Sequence, residues 1–227
     1  MPILAFDMDG TITPPKKPID RSMSQALESI MQTHEVWLVT GSNIDLAAGQ
    51  LGYLLDLFSR VYVCAGNECW IGNQLIERFP LVLPTQFHEE VNKYLASVPG
   101  LDRVVQVSRT GLLSYSFELC EHPEARHAFA AAINAQFVSV RATPAGRFSV
   151  DVLQHDAGKH RILDDTAKPI WYWGDECYPG GNDFSIAERL RIGSSNRVFK
   201  TSGWQDTLHL LKEIFDVHIP FQQAAPF

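Results

Sequence analysis

The chain lacks a cysteine pattern for zinc or redox work, an excess of positive charge, and any apolar run long enough to cross a bilayer. Its four cysteines, Cys64, Cys69, Cys120 and Cys177, include no CxxC pair and no zinc-like spacing with histidine. No signal-peptide core precedes the short run Pro2 to Phe6, so the thiols read as reduced and the protein as cytoplasmic. The formal net charge is -7, with acidic and basic residues interspersed. That argues against nucleic acid as a partner, because affinity for its phosphates needs a basic face. No stretch approaches the roughly 18 apolar residues of a membrane span, and there are no internal repeats or low-complexity segments. What is present is a chain of 227 residues, 45% hydrophobic, enough for a large domain or a core with a smaller insert.

The first part alternates strand and helix signals. Ile3-Leu4-Ala5-Phe6 reads as a buried parallel strand ending at Asp7. After a Pro/Lys-rich loop, Asp20 is placed to cap a helix carrying Met23, Ala26, Leu27 and Ile30 on one face. Val36–Val39 is a second strand, Asn43 to Leu57 a second helix, and Val61–Cys64 a third strand. Cys69 to Ile76, broken by Gly72-Asn73, reads as a hairpin. Such βα repeats predict an α/β fold, a Rossmann-like parallel sheet with helices on both faces. From Pro80 the texture changes to an αββαββ pattern, with turns at Thr110-Gly111 and Pro144-Ala145-Gly146. The βα pattern resumes after it, with a strand over Ile170–Trp173, a helix over Asp183–Leu190, a strand near Asn196–Phe199 and a last helix to Phe215. The organisation expected is a catalytic core of residues 1–79 and 154–227 with an inserted α+β domain of residues 80–153; the tail 220–227 shows no periodicity.

Chemistry-bearing residues cluster at strand ends, where open α/β sheets place their sites. Asp7-Met8-Asp9-Gly10-Thr11 sets two carboxylates two residues apart, a pattern that allows one to attack and the other to move a proton. Thr40-Gly41-Ser42 offers hydroxyls and amides at a helix start, a cradle for a phosphate oxygen. Lys159 is placed to neutralise a phosphoryl group, although His160 and Arg161 beside it equally suit a surface lysine. Gly174-Asp175-Glu176-Cys177-Tyr178-Pro179-Gly180-Gly181-Asn182-Asp183 supplies oxygen ligands on a Gly-rich turn, suited to a hard divalent cation.

Taken together, FDMDGTITPP, Thr-Gly-Ser, Lys159 and GDECYPGGND resemble the four motifs of the haloacid dehalogenase-like (HAD) superfamily, and the PGGND form is similar to that of eukaryotic-type phosphomannomutases. The resemblance covers most of the core and parts of the insert. It implies Asp7 as nucleophile, Asp9 as acid/base and Lys159 as charge balance. It also implies Thr40 or Ser42, with Gly41, around a phosphate oxygen. Mg2+ is the implied cofactor, held by Asp7, the Asp9 carbonyl and Asp175 and supported by Asn182 and Asp183. The insert would be a cap closing over a small phosphorylated substrate, and caps of this kind suggest a homodimer.

Within the insert, Gly146 to Val152 resembles the phosphomannomutase segment whose serine and aspartate touch the sugar; here these are Ser149 and Asp151, on one face of a strand. Where that family carries an arginine, Val107-Ser108-Arg109-Thr110-Gly111-Leu112 has Leu112. Arg109, Arg103, Arg141 or Arg147 could supply that charge from another position. Loss of that cation favours hydrolysis of a phosphomonoester such as a sugar phosphate over a mutase, which must hold a second phosphate. A non-catalytic binding protein on this fold would have lost acidic residues that are all present here.

Overall fold

Four consecutive apolar residues with no polar face can be buried only between two layers, and the first strand of this computed structural model is so placed. The structure describes residues 1–109, 111–145 and 148–216, so Thr110, Gly146, Arg147 and the tail lie outside the described residues. Along the chain run β1 (Ile3–Phe6), α1 (Arg21–Met31), β2 (Val36–Val39), α2 (Ile44–Leu51), β3 (Arg60–Val63), β4 (Glu68–Ile71), β5 (Gln74–Arg78) and α3 (Phe87–Ser97). There follow β6 (Val105–Arg109), β7 (Leu112–Ser116), α4 (Arg126–Gln136), β8 (Val140–Ala145), β9 (Ser149–Gln154), β10 (Ile170–Gly174), α5 (Phe184–Leu190), β11 (Arg197–Lys200) and α6 (Trp204–Phe215).

The larger sheet has the order β11-β10-β1-β2-β3-β4-β5. Its first five strands are mutually parallel, and the β4–β5 hairpin extends it antiparallel. Side-chain alternation sends Leu4 and Phe6 toward α1 and α6, and Ile3 and Ala5 toward α5 and the 3-10 turn Lys159–Asp165. Phe6, Trp173 and Phe199 occupy matched register positions and stack, with centroids 4.7 and 4.3 Å apart. That stack locks the register of the strands from which Asp7 and Asp175 emerge. Asp20 caps α1 by accepting from the Ser22 amide at 2.8 Å, and α1 buries Met23, Ala26, Leu27 and Ile30 as the sequence predicts. The helix expected over 43–57 is instead α2 followed by a 3-10 turn, divided at Gly52 with φ 57°.

The smaller sheet, β6-β7-β9-β8, is antiparallel and carries α3 and α4 on one face, over Tyr115, Phe117, Val150 and Val152. Tyr115 and Phe117 are core residues of this layer. Two details differ from the sequence reading. Phe137, where the αββαββ pattern opens its third strand at 137–141, instead ends α4, and β8 begins at Val140. Pro144 and Ala145 belong to β8 rather than to the turn, which proline tolerates because β8 is an edge strand.

Contacts join the two sheets. Leu112 and Leu153 pack into the cluster of the larger sheet beside Ala65 and Ala157. Gly111, with φ 65°, comes so close that a Cβ there would sit 2.3 Å from the Phe79 carbonyl oxygen, and Asn67 Nδ2 donates to its carbonyl at 2.8 Å. Among the described residues no helix is long and apolar enough to cross a membrane.

Candidate active site

Asp7 is the first residue beyond β1, and its backbone amide donates to Trp173 O at 2.9 Å, so it stands beside the end of β10. Alternation turns it to the α5 side of the sheet, where Lys159 and Asp183 open the two neighbouring helical elements. Lys159 is 1% exposed. Its Nζ donates to Asp7 Oδ1 at 2.6 Å, to Asp183 Oδ1 at 2.6 Å and to Asn182 Oδ1 at 3.3 Å. The surface alternative for this lysine is thereby excluded. Thr11 Oγ1 donates to Asp7 Oδ2 at 3.3 Å, and the Tyr172 hydroxyl to Asp183 Oδ1 at 2.5 Å. Asp175 leans over Gly10, where a Cβ would stand 2.3 Å from Asp175 Oδ2, so only glycine fits.

One oxygen each of Asp7, Asp175 and Asp183 lies within 4.8 Å of the other two. Three carboxylates against a single ammonium leave an excess of negative charge in a largely buried space. The consequence is visible in the acidities. Burial raises the Asp7 carboxyl well above its ordinary range, and Asp183 and Asp175 add to this against the opposing pull of Lys159. Burial, then Asp183, pushes Asp175 up to about 6. Lys159 is held charged well above its usual value: burial opposes this, and Asp183 and Asp7 overcome it. An all-oxygen donor set with surplus negative charge fits a hard divalent cation. Cys177, with its Sγ 3.5 Å from Gly174 O, is pushed up to about 12 by burial and is an unreactive thiol.

Asp9 stands apart from that carboxylate cluster. Its Oδ1 accepts from the Lys16 amide at 2.7 Å, and Ser42 Oγ lies 3.4 Å from its Oδ2. Thr40 is buried, and its Oγ1 accepts from the Ser42 amide at 3.1 Å, which leaves its own proton to donate. Asp151 reaches this loop from the smaller sheet, since a Cβ on Gly41 would lie 4.0 Å from its Oδ2. Strand pairing sets Asp151 between Ser114 and Thr143, and Ser149 between Ser116 and Ala145 one step further along. Val150 between them points into the insert's core. The side chain of Arg109 and all of Arg147 lie outside the described residues. Arg103 is exposed, and Arg141 Nη2 donates to the Ala157 carbonyl at 2.5 Å.

Sequence reasoning missed three groups. Tyr172, inside the apolar run of β10, carries only a core signal. Thr11 reads as loop. Ser114 Oγ donates to Asp151 Oδ1 at 2.7 Å; the alternation Leu113-Ser114-Tyr115-Ser116 would have placed it on the polar face beside Asp151.

No family model matches the chain. It is 26% identical to phosphomannomutase 1 of Homo sapiens and of Mus musculus over 242 residues, covering 92% of this chain and 90% of each relative. A HAD subclass IIB sugar phosphatase structure superposes with a TM-score of 0.65 at 14% identity, covering 96% of this chain and 100% of that one. The IMP-bound Plasmodium falciparum IMP-nucleotidase gives 0.68 at 15% identity, over 96% of this chain and 68% of that one. With Asp7, Thr40 and Asp175 at neighbouring strand ends and Lys159 opening the adjacent 3-10 turn, the chain has a HAD-like fold and a phosphomannomutase-like sequence.

Proposed function

We propose that this protein is a Mg2+-dependent phosphatase that hydrolyses a small phosphomonoester, a sugar phosphate in particular, through a phosphorylated Asp7. The observation that carries the reading is the buried Asp7–Lys159–Asp183 chain with Asp175 beside it, whose surplus negative charge calls for a dication. Asp7, Asp175 and the Asp9 carbonyl would hold magnesium, with Asn182 and Asp183 supporting. Bound there, the ion would offset charge on the phosphoryl oxygens and help fix them for in-line transfer.

The chain's own groups would act as follows. Lys159 holds Asp7 Oδ1, leaving Oδ2, with its 3.3 Å contact to Thr11, as the attacking oxygen. As Oδ2 bonds to phosphorus, the bond to the leaving oxygen breaks and Asp9 gives that oxygen its proton. Asp9 then takes a proton from water, whose oxygen attacks phosphorus, and inorganic phosphate and the Asp7 carboxylate are released. Thr40 donates its hydroxyl to a phosphoryl oxygen, beside Gly41 and Ser42. Residues 80–153 serve as the cap, with Ser149 and Asp151 toward the substrate's hydroxyls and Arg109 toward any further anionic group.

Leu112 supports hydrolysis over mutation: it is 1% exposed and packed at the seam, so that position supplies no cation for a second phosphate. A phosphomannomutase-type mutase is the second reading, favoured by relatives matched along 92% of the chain. Phosphate release from a panel of hexose phosphates with Mg2+, beside hexose 1-phosphate to 6-phosphate conversion, separates the two. Asp7→Asn is expected to abolish turnover with the fold intact; retained turnover would remove Asp7 as nucleophile.

A further inference from the structure

The last turn of α2 brings Gln50 under the loop that follows Asp9. Its carbonyl accepts from the Ile19 amide at 2.9 Å. Its side-chain amide end lies 3.0 Å from Lys17 O, 3.1 Å from Thr13 Oγ1 and 3.2 Å from Asp9 Oδ1. With the amide oxygen turned there, Thr13 Oγ1 would donate to it at 3.1 Å, but it would face a carbonyl and a carboxylate that cannot donate. Turning the NH2 inward resolves the conflict, because Thr13 then donates to Met8 O at 3.1 Å and Gln50 donates to the acceptors around it.

Asp9 Oδ1 thus has two donors on different elements, the Lys16 amide at 2.7 Å and the Gln50 amide at 3.2 Å. Lys16, whose amide makes that contact, adopts φ 57°, a left-handed conformation that lysine rarely takes. Gln50 holds the loop in that shape, at Thr13, Lys17 and Ile19. The two N–H groups of its amide let one side chain serve the loop and the carboxylate together.

We propose that Gln50 is the positioning residue that holds Asp9 aimed at the leaving-group oxygen. This rests on the role given to Asp9 above. Its effect should therefore scale with how much the leaving group needs a proton. Gln50→Met keeps the length and removes both donors; Gln50→Glu keeps the shape and replaces donors with acceptors. For both, kcat/KM, which reports the steps through alcohol release, is expected to fall about 10- to 100-fold for a hexose phosphate. For p-nitrophenyl phosphate, whose leaving group departs without a proton, the expected fall is under about threefold. Equal losses on both esters, or none, would make Gln50 structural only and overturn the proposal. A wild-type enzyme that hydrolyses neither ester would count against the function instead. The crystal structure of Gln50→Met decides the positioning independently of activity: Asp9 is expected to leave the Lys16 amide, and an unchanged 2.7 Å contact would refute the role.

Discussion

Replacing Lys159 with methionine removes the only charge that balances Asp7 and Asp183 among the described contacts of the cluster while nearly preserving side-chain volume. In the native protein the ammonium is 1% exposed and sits 2.6 Å from a carboxylate oxygen of each. Removing one partner of a buried ion pair costs about 3–5 kcal/mol, because the remaining charge has neither water nor counter-charge. For a chain of this size each kcal/mol shifts the melting temperature by about 2–4 °C, so a fall of about 6–20 °C is expected. The sign with pH follows from the acidities. Asp7 already has a raised proton affinity through burial, and loss of the lysine raises it further. The variant's deficit should therefore be largest where Asp7 is ionised and shrink as pH falls and the carboxyl takes up its proton. The native ammonium stays charged to well above its usual pKa, so its contribution persists across neutral pH and is lost only in strong alkali. Thermal melts by circular dichroism in EDTA, at pH 7.5 and pH 5, measure both effects. A loss below about 1 kcal/mol, or equal losses at the two pH values, would refute the charge-balance reasoning.

Two further outcomes follow from the same geometry. Asp175, pushed up to about 6 from an ordinary 3.8, costs the metal-free protein about 3 kcal/mol once ionised, and this cost appears as pH rises from about 4 through about 6. Magnesium should accordingly raise the melting temperature more at pH 7.5 than at pH 5, and an equal rise would separate Asp175 from the cation. Ser114→Ala deletes the 2.7 Å hydrogen bond to Asp151, worth about 1 kcal/mol, so KM for a sugar phosphate should rise about fivefold while a substrate without hydroxyls is unaffected. Steady-state kinetics on the two substrates would show otherwise if both changed alike.

The positions of Asp7, Thr40 and Asp175 were legible in the sequence because each ends a short apolar run, and a parallel strand buried on both faces leaves that signature. The αββαββ insert was legible through its alternation, although Pro144 in β8 was not: whether a proline ends a strand depends on whether the strand lies at an edge. Tyr172 and Gln50 were hidden for a related reason. Each takes its meaning from a partner far along the chain, Asp183 for one and the Asp9 loop for the other.

Composition and local pattern therefore determined which elements form and which carboxylates stand at their ends, since burial and dihedral preference act over a few residues. Only the tertiary structure decided that Lys159 is buried, that Asp183 faces Asp7 rather than the solvent, and that Leu112 is packed into the seam between the sheets. Charge balance and close packing are properties of neighbours in space, and no linear spacing records them.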